Sequence, residues 1–197
     1  MKPRKSLAAA AVACTLCVAG VAQAVPVQWT TGSGGNDHYY ELITPHVSWT
    51  QARANASGSV FQGIHGYLAT ITSLAENNFV LGLGSDGWLG GTDQAVEGDW
   101  RWADGPEAGQ LFWQGGPGGT AFGFAHWHVG VQPNNSGGNE DFLHMNAGNW
   151  NDIANNITRG YYVEYSATVP EPGSIFVLAL GLAGLGAFRR RPELVST

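Results

Sequence analysis

The spacing of apolar and polar positions along the chain predicts two short helices set among short strands. Residues 38–44 (HYYELIT) are dense in aromatic and branched side chains, which suit a pleated surface, and predict a strand that Pro45 ends. Ser48 with Gln51 and Ser73 with Glu76 have the S-x-x-Q/E spacing in which the serine oxygen accepts from an unpaired amide of the first helical turn. Helices are therefore expected over about 49–56 and 74–81, packed through Trp49, Ala52 and Ala56 and through Leu74, Phe79 and Val80. Between them, 67–71 reads as a short buried strand. Further strands are expected at 88–90, 100–102, 142–146 and 161–165. In the last, Tyr161, Val163 and Tyr165 alternate with Tyr162 and Glu164, implying one buried face. Residues 114–138 have almost no periodicity and eight glycines, and a loop that long inside a compact domain is usually functional or pinned.

Composition sharpens this picture. The chain has 197 residues, 44% apolar and 12% charged, enough for one domain with a substantial core. Six of its nine Lys and Arg fall at the ends, as Lys2, Arg4, Lys5, Arg189, Arg190 and Arg191. From 25 to 170 there are three basic residues (Arg53, Arg101, Arg159), thirteen acidic ones and no Lys, which excludes a nucleic-acid partner because no basic face exists.

The two ends read as addresses. Residues 1–24 carry a basic start, an apolar stretch and the small-x-small sequence Ala22-Gln23-Ala24, the pattern of a secretory signal peptide. Both cysteines, Cys14 and Cys17, lie inside it; lipid attachment at Cys14 is an alternative that would leave a very short apolar run before it. The exported chain then has no disulfide and no thiol chemistry. Near the other end, Pro170-Glu171-Pro172 is followed by a 14-residue apolar run over 175–188 and three arginines, short of the roughly 20 residues a membrane helix needs. This tail, over 169–191 with 192–197 beyond it, resembles the PEP-CTERM sorting signal. The resemblance implies exosortase and the secretion machinery as partners, transient membrane anchoring by the C-terminal segment, and release or retention at the cell surface. A permanent short anchor is the other reading, and the arginines would leave the domain on the same, outer side.

Within 25–168 an ordered set of short words carries a second resemblance: the Trp49-x-x-Ala52 helix, Tyr67-Leu68-Ala69-Thr70-Ile71 followed by Ser73, Glu76 and Phe79, Trp88-Leu89-Gly90-Gly91, Trp100-x-Trp102, Gln132-Pro133-Asn134, Asn139-Glu140-Asp141 and Trp150-Asn151-Asp152. Together they resemble the C-type lectin-like domain. The resemblance implies an α+β, C-type lectin-like fold of two helices and two small antiparallel sheets with a long Gly/Asn-rich loop region. This chain departs from the family in lacking its disulfides, with Phe142 where a cysteine is expected.

Gln132, Asn134, Glu140, Asn151 and Asp152 supply the oxygen donors that a hard cation such as Ca²⁺ prefers. An X-Pro bond at Pro133 has easy access to the cis form, which would turn its flanking side chains toward one site. By resemblance this is a sugar-binding calcium site, in which two vicinal hydroxyls join the ion's shell while exchanging hydrogen bonds with amides and carboxylates. In the family, Glu-Pro-Asn goes with mannose-type and Gln-Pro-Asp with galactose-type diols; Gln132-Pro133-Asn134 mixes the two and leaves the sugar open. With only Glu140 and Asp152 as carboxylates, the expected affinity is about 0.1–1 mM.

Asp93, Glu97, Asn135 and Asp141 match the family's accessory calcium site, with an ordinary turn and solvated charges as the bland reading. Trp113 and Trp127 are expected to close the long loop over the core. His126 and His128 have the spacing of a two-imidazole zinc grip, against a partly buried aromatic-like pair; His144 stands apart. Glu97 with Asp141 is the best carboxylate pair for a glycosidase, but no nucleophile elbow, phosphate loop or reactive cysteine is present, and no enzyme is expected. The chain thus reads as an exported calcium-dependent module for a glycan or exopolysaccharide. The rival is a calcium-independent protein-binding or structural matrix component.

Overall fold

The structure, a computed structural model, describes residues 25–166; the expected leader over 1–24, the sorting segment over 169–191 and the tail over 192–197 lie outside the described residues. In chain order the elements are β1 (Val27–Gln28), β2 (Tyr39–Val47), α1 (Trp49–Gly58), β3 (Val60–Phe61), β4 (Ile64–His65), β5 (Tyr67–Leu68), α2 (Leu74–Leu81), β6 (Asp86–Thr92), β7 (Asp99–Trp102), β8 (Leu111–Gln114), β9 (Thr120–Ala121), β10 (Phe142–Asn146), β11 (Asn149–Ile153) and β12 (Arg159–Tyr165).

The class is α+β, with the two helices where the serine spacings place them. Ser48 Oγ accepts from Gln51 N at 3.3 Å and Ser73 Oγ from Glu76 N at 3.1 Å. The sheets differ from expectation. Instead of two small antiparallel ones there is a ten-stranded sheet, ordered β1-β2-β12-β6-β7-β8-β9, and a separate β3–β4 pair. β5 adds to β12, and the β10–β11 hairpin adds to β6. A single parallel contact, Tyr161 with Trp88, joins the halves into one sheet.

Three local expectations are corrected. Pro45 does not end β2, because the β2–β12 register slips between Arg159 and Tyr161, and a residue without an amide hydrogen is tolerated in that irregular stretch. β12 is buried on both faces rather than one, since it lies between β2 and β6. Tyr161, Val163 and Tyr165 meet Trp49, Ala52 and Ala56 of α1, while Tyr162 enters the opposite core with Tyr40, Ile71, Trp102 and Leu143. In α2, Leu74 faces solvent and the buried positions are Glu76, Asn77 and Val80.

That polar face of α2 is matched from elsewhere in the chain. Tyr40 Oη donates to Glu76 Oε1 at 2.6 Å, and Thr72 N donates to Glu76 Oε2 at 2.7 Å. Asn77 Oδ1 accepts from Trp150 Nε1 at 2.9 Å. Close by, buried Glu164 lies 2.6 Å from His38 Nδ1 and accepts from Thr70 N at 3.0 Å. Burial pulls the His38 imidazole down, but the hydrogen bond and charge of Glu164 outweigh it and leave His38 above its usual value.

Candidate functional site

The β10–β11 hairpin frames the site. Its register pairs Leu143 with Asp152, His144 with Asn151, Met145 with Trp150 and Asn146 with Asn149. Because side chains alternate along strands, Leu143, Met145, Trp150 and Asp152 share the core face, while His144, Asn146, Asn149 and Asn151 share the other. Trp150 anchors the core face: it is fully buried, donates to Asn77, and meets Trp102, Phe112 and Trp127 edge-on at 5.8–5.9 Å. Its two successors in sequence inherit that fixed position.

The long loop is clasped to the outer edge of β11. Trp150 N donates to His126 O at 2.8 Å, and His128 N donates back to Trp150 O at 3.1 Å. Between them Trp127 turns inward, with its ring centroid 4.8 Å from that of Trp100, in the loop-closing role read from sequence. Trp113 is partly buried beside it. His128 O in turn accepts from Val131 N and Gln132 N, which leads the chain into a cis Gln132–Pro133 bond.

From there three stretches converge. Asp152 Oδ2 accepts from Asn134 N at 2.9 Å and from Asn135 N at 2.7 Å. Glu140 Oε2 accepts from Ser136 N at 2.8 Å, Glu140 N donates to Asn135 Oδ1 at 3.1 Å, and Asn134 Oδ1 accepts from Ser136 N at 3.0 Å. Asn134, Glu140 and Asp152 are thereby tied into one group. Asn151, on the other face of the hairpin, donates from its amide nitrogen to Asp152 O at 2.8 Å and to His144 Nε2 at 2.9 Å. Two oxygens, Gln132 Oε1 and Asp152 Oδ1, are buried without a hydrogen-bond partner. Burial holds both the Asp152 and Glu140 carboxyls above their ordinary range, against the opposing effect of their amide donors, and the charge of Asp152 adds to the rise at Glu140.

The second predicted set divides. Asp93 is buried, its Oδ2 accepts from Gly98 N at 2.8 Å, and its Oδ1 is another partnerless buried oxygen. Its N–H donates to Asp141 O at 3.3 Å. Burial pushes the Asp93 carboxyl up to about 7 despite the Gly98 bond, with the charges of Glu97 and Asp141 adding to the rise. Asn135 belongs instead with Asp152 and Glu140. A small cavity of about 90 Å³ joins the two sets, with Glu97 on one side and Asn134, Asn135 and Asp152 on the other. Gly98 and Gly115, both at positive φ, meet in its wall, where Gly115 N donates to Gly98 O at 2.9 Å.

Among the described residues no three His, Cys, Asp or Glu side chains converge as a metal cluster, so an ion here would depend on amide and backbone oxygens as well as carboxylates. The zinc reading of His126 and His128 has no support in this geometry: His126 stacks on Phe124 at 5.9 Å, and His128 is exposed. Sequence reasoning set His144 apart without a role. It is buried, with Nδ1 3.2 Å from Asp86 Oδ1, while Arg159 Nη1 donates to Asp86 Oδ2 at 2.5 Å. Burial, with the Arg159 charge, pushes His144 down to about 4, so it is neutral at pH 7. The tautomer that satisfies both partners carries its proton on Nδ1 and accepts from Asn151 at Nε2. The signal that would have found it is the antiparallel pairing across Ala147 and Gly148, which sets His144 opposite Asn151.

Two helices, a twisted sheet and a long loop clasped to a tryptophan-anchored hairpin define a lectin-type domain. The Lectin C-type domain family matches residues 46–163, and the PEP-CTERM protein-sorting motif matches residues 168–191. The chain belongs to the C-type lectin domain family. It is similar to halomucin of Haloquadratum walsbyi, at 36% identity over 156 residues covering 73% of this chain and 2% of that protein. It is also similar to hepatic lectin of Gallus gallus, at 34% identity over 122 residues covering 60% of this chain and 49% of that protein. The match therefore spans less than half the length of either relative. The crystal structure of the C-type lectin CEL-I from Cucumaria echinata shares the fold, with a TM-score of 0.52 and 22% identity over 67% of this chain and 92% of that one.

Proposed function

We propose that the protein is an exported carbohydrate-binding module that takes up Ca²⁺ through Gln132, Asn134, Glu140, Asn151 and Asp152 and binds a surface or matrix polysaccharide there. The observation that carries this reading is a local shortage of positive charge: two buried carboxyls raised by burial, beside two buried oxygens that no hydrogen bond satisfies. Such oxygens fit a hard divalent cation in ligand type, and no Lys or Arg stands among them. When bound, calcium supplies a cationic centre with coordination positions left for sugar hydroxyls. The chain's own part is to hold its oxygens in place: Asn134 and Asn135 amides fix Asp152, Ser136 N–H fixes Glu140, and Trp150 fixes the strand. Asp93, Glu97, Asn135 and Asp141 would hold a second ion on the far side of the shared cavity, where it would brace the long loop.

The kinship with a protein named hepatic lectin supports sugar binding, and the PEP-CTERM motif supports export, exosortase handling and a cell-surface or extracellular location, with anchoring by the tail a passing stage. One observation favours the calcium-independent alternative: the loop is already closed by amide bonds to Asp152 and Glu140.

Calorimetry and thermal melting of the full-length protein, in EDTA and in millimolar calcium, decide between the two. The proposal requires heat of calcium binding, a raised melting temperature, and binding to a glycan array that EDTA abolishes. Gln132→Leu, which removes an oxygen without touching the loop's amide bonds, is expected to weaken calcium binding while leaving the apo melt within about 2 °C of the parent. Array binding that persists in EDTA overturns the proposal.

A further inference from the structure

The non-core face of the β10–β11 hairpin presents a recess of about 200 Å³ beside Asn151, bounded by His128, Asn146, Asn149 and Asn151 over the backbone of Trp150. Its walls are set by the fold. Asn146 and Asn149 are directly opposed across the ladder, and His144 and Asn151 form the next pair on the same face, so the amides stand in a row. The turn between them has Ala147 at φ 51° and Gly148 at φ 92°, the left-handed pair of a two-residue hairpin that sets the side chains of Asn146 and Asn149 next to one another. His128 closes the far side, held there by its N–H bond to Trp150 O.

The side chains of Asn146, Asn149 and His128 make no hydrogen bond within the described residues, in contrast to Asn151, whose amide nitrogen is fully used. They are thus unspent donors and acceptors on rigid backbone. Amides both give and accept, which matches the paired hydroxyls of a sugar and not a charged group. Charge points the same way. All three arginines of the domain are committed to acids: Arg53 to Asp104 at 2.7 Å, Arg101 to Asp99 at 3.5 Å and Arg159 to Asp86 at 2.5 Å. No Lys occurs after position 5, so no free cation among the described residues stands ready for an anionic polymer.

We propose that this recess is a second subsite that holds the adjoining residue of a neutral glycan whose diol sits at the proposed calcium site, Asn151 being the boundary the two share. The inference rests on the calcium-dependent sugar reading and extends it: the ligand is a chain, read over at least two units, and it is uncharged.

The test compares free hexoses (mannose, galactose and glucose) with their neutral disaccharides on full-length protein in millimolar calcium, by calorimetry. The parent is expected to bind one disaccharide about tenfold more tightly than its component hexose, the gain expected of one or two added hydrogen bonds. The double variant Asn146→Ala with Asn149→Ala, and separately His128→Ala, should remove that advantage and leave hexose affinity within about twofold. These side chains are at the surface, and an unchanged melting temperature confirms folding. A parent that binds hexose and disaccharide equally, or variants that keep the full advantage, overturns the subsite while the calcium site stands. A parent that binds no hexose in calcium overturns both.

Discussion

The Asn151 amide donates to His144 Nε2 at 2.9 Å, and through the imidazole it is connected to Asp86 and Arg159, three residues with no place in the sequence-level site. Groups one step behind a metal ligand set its orientation, and removing them typically costs about 10–100-fold in metal affinity. His144→Phe keeps a buried ring of similar size and deletes both hydrogen bonds. It is expected to remain folded and to bind calcium about tenfold more weakly by calorimetry with the metal alone. Unchanged affinity would show that Asn151 is either placed by the strand alone or is no ligand.

Asp93 gives a prediction of opposite sign in two solutions. A buried acid whose pKa is raised to about 7 is destabilising when charged, so stability is lost as pH rises through that value from the unfolded 3.8. Asp93→Asn retains an oxygen for Gly98 N–H and carries no charge. In EDTA at pH 8 it is expected to melt above the parent, with the gap closing toward pH 5; in saturating calcium the order reverses. A scanning melt across both conditions checks this.

His38 and Glu164 couple the fold to pH away from the site. The folded His38 pKa is raised, so its contribution is fully present below the unfolded value near 6.5 and is lost as pH rises through the folded value. The parent is expected to lose stability between pH 6 and 9, and His38→Gln is expected to lose about 2 °C less over that range. Parallel melting curves for the two proteins would contradict the assignment.

Trp127 makes the loop part of the core. It is 5% exposed and meets Trp100, Trp113, Phe112 and Trp150. Trp127→Ala is expected to cost about 3–5 kcal/mol in urea unfolding and to abolish calcium binding together with it. Loss of stability with calcium affinity intact would mean that the loop holds its shape without this anchor.

How far the chain could be read in advance follows the range of the interactions. The helix starts were legible because each depends on a serine and an amide three residues apart. The orientation of α2 was not, because its buried side is polar: Glu76 and Asn77 answer to Tyr40 and Trp150, 36 and 73 residues away. The merger into one sheet turns on a single contact between Tyr161 and Trp88, which no local pattern announces. At the site, the words around Pro133, Glu140 and Trp150 named the right stretches, and Asn134, Glu140 and Asp152 do meet. The assignment of Asn135 to the second set did not hold as a grouping, since its backbone and side chain bind Asp152 and Glu140. His144 and the recess beside it are properties of strand register, which spacing alone does not convey.

The position of β12 has a consequence for how the molecule comes into being. The strand synthesised last is flanked on both sides by strands made long before, with Glu164 opposite Tyr40 in the ladder. Until Ser166 has emerged, the domain lacks its middle, so a growing chain stays open for most of its synthesis and the final closure spans over a hundred residues. Crossing a membrane as an unfolded thread and folding only on the far side is compatible with that order of events.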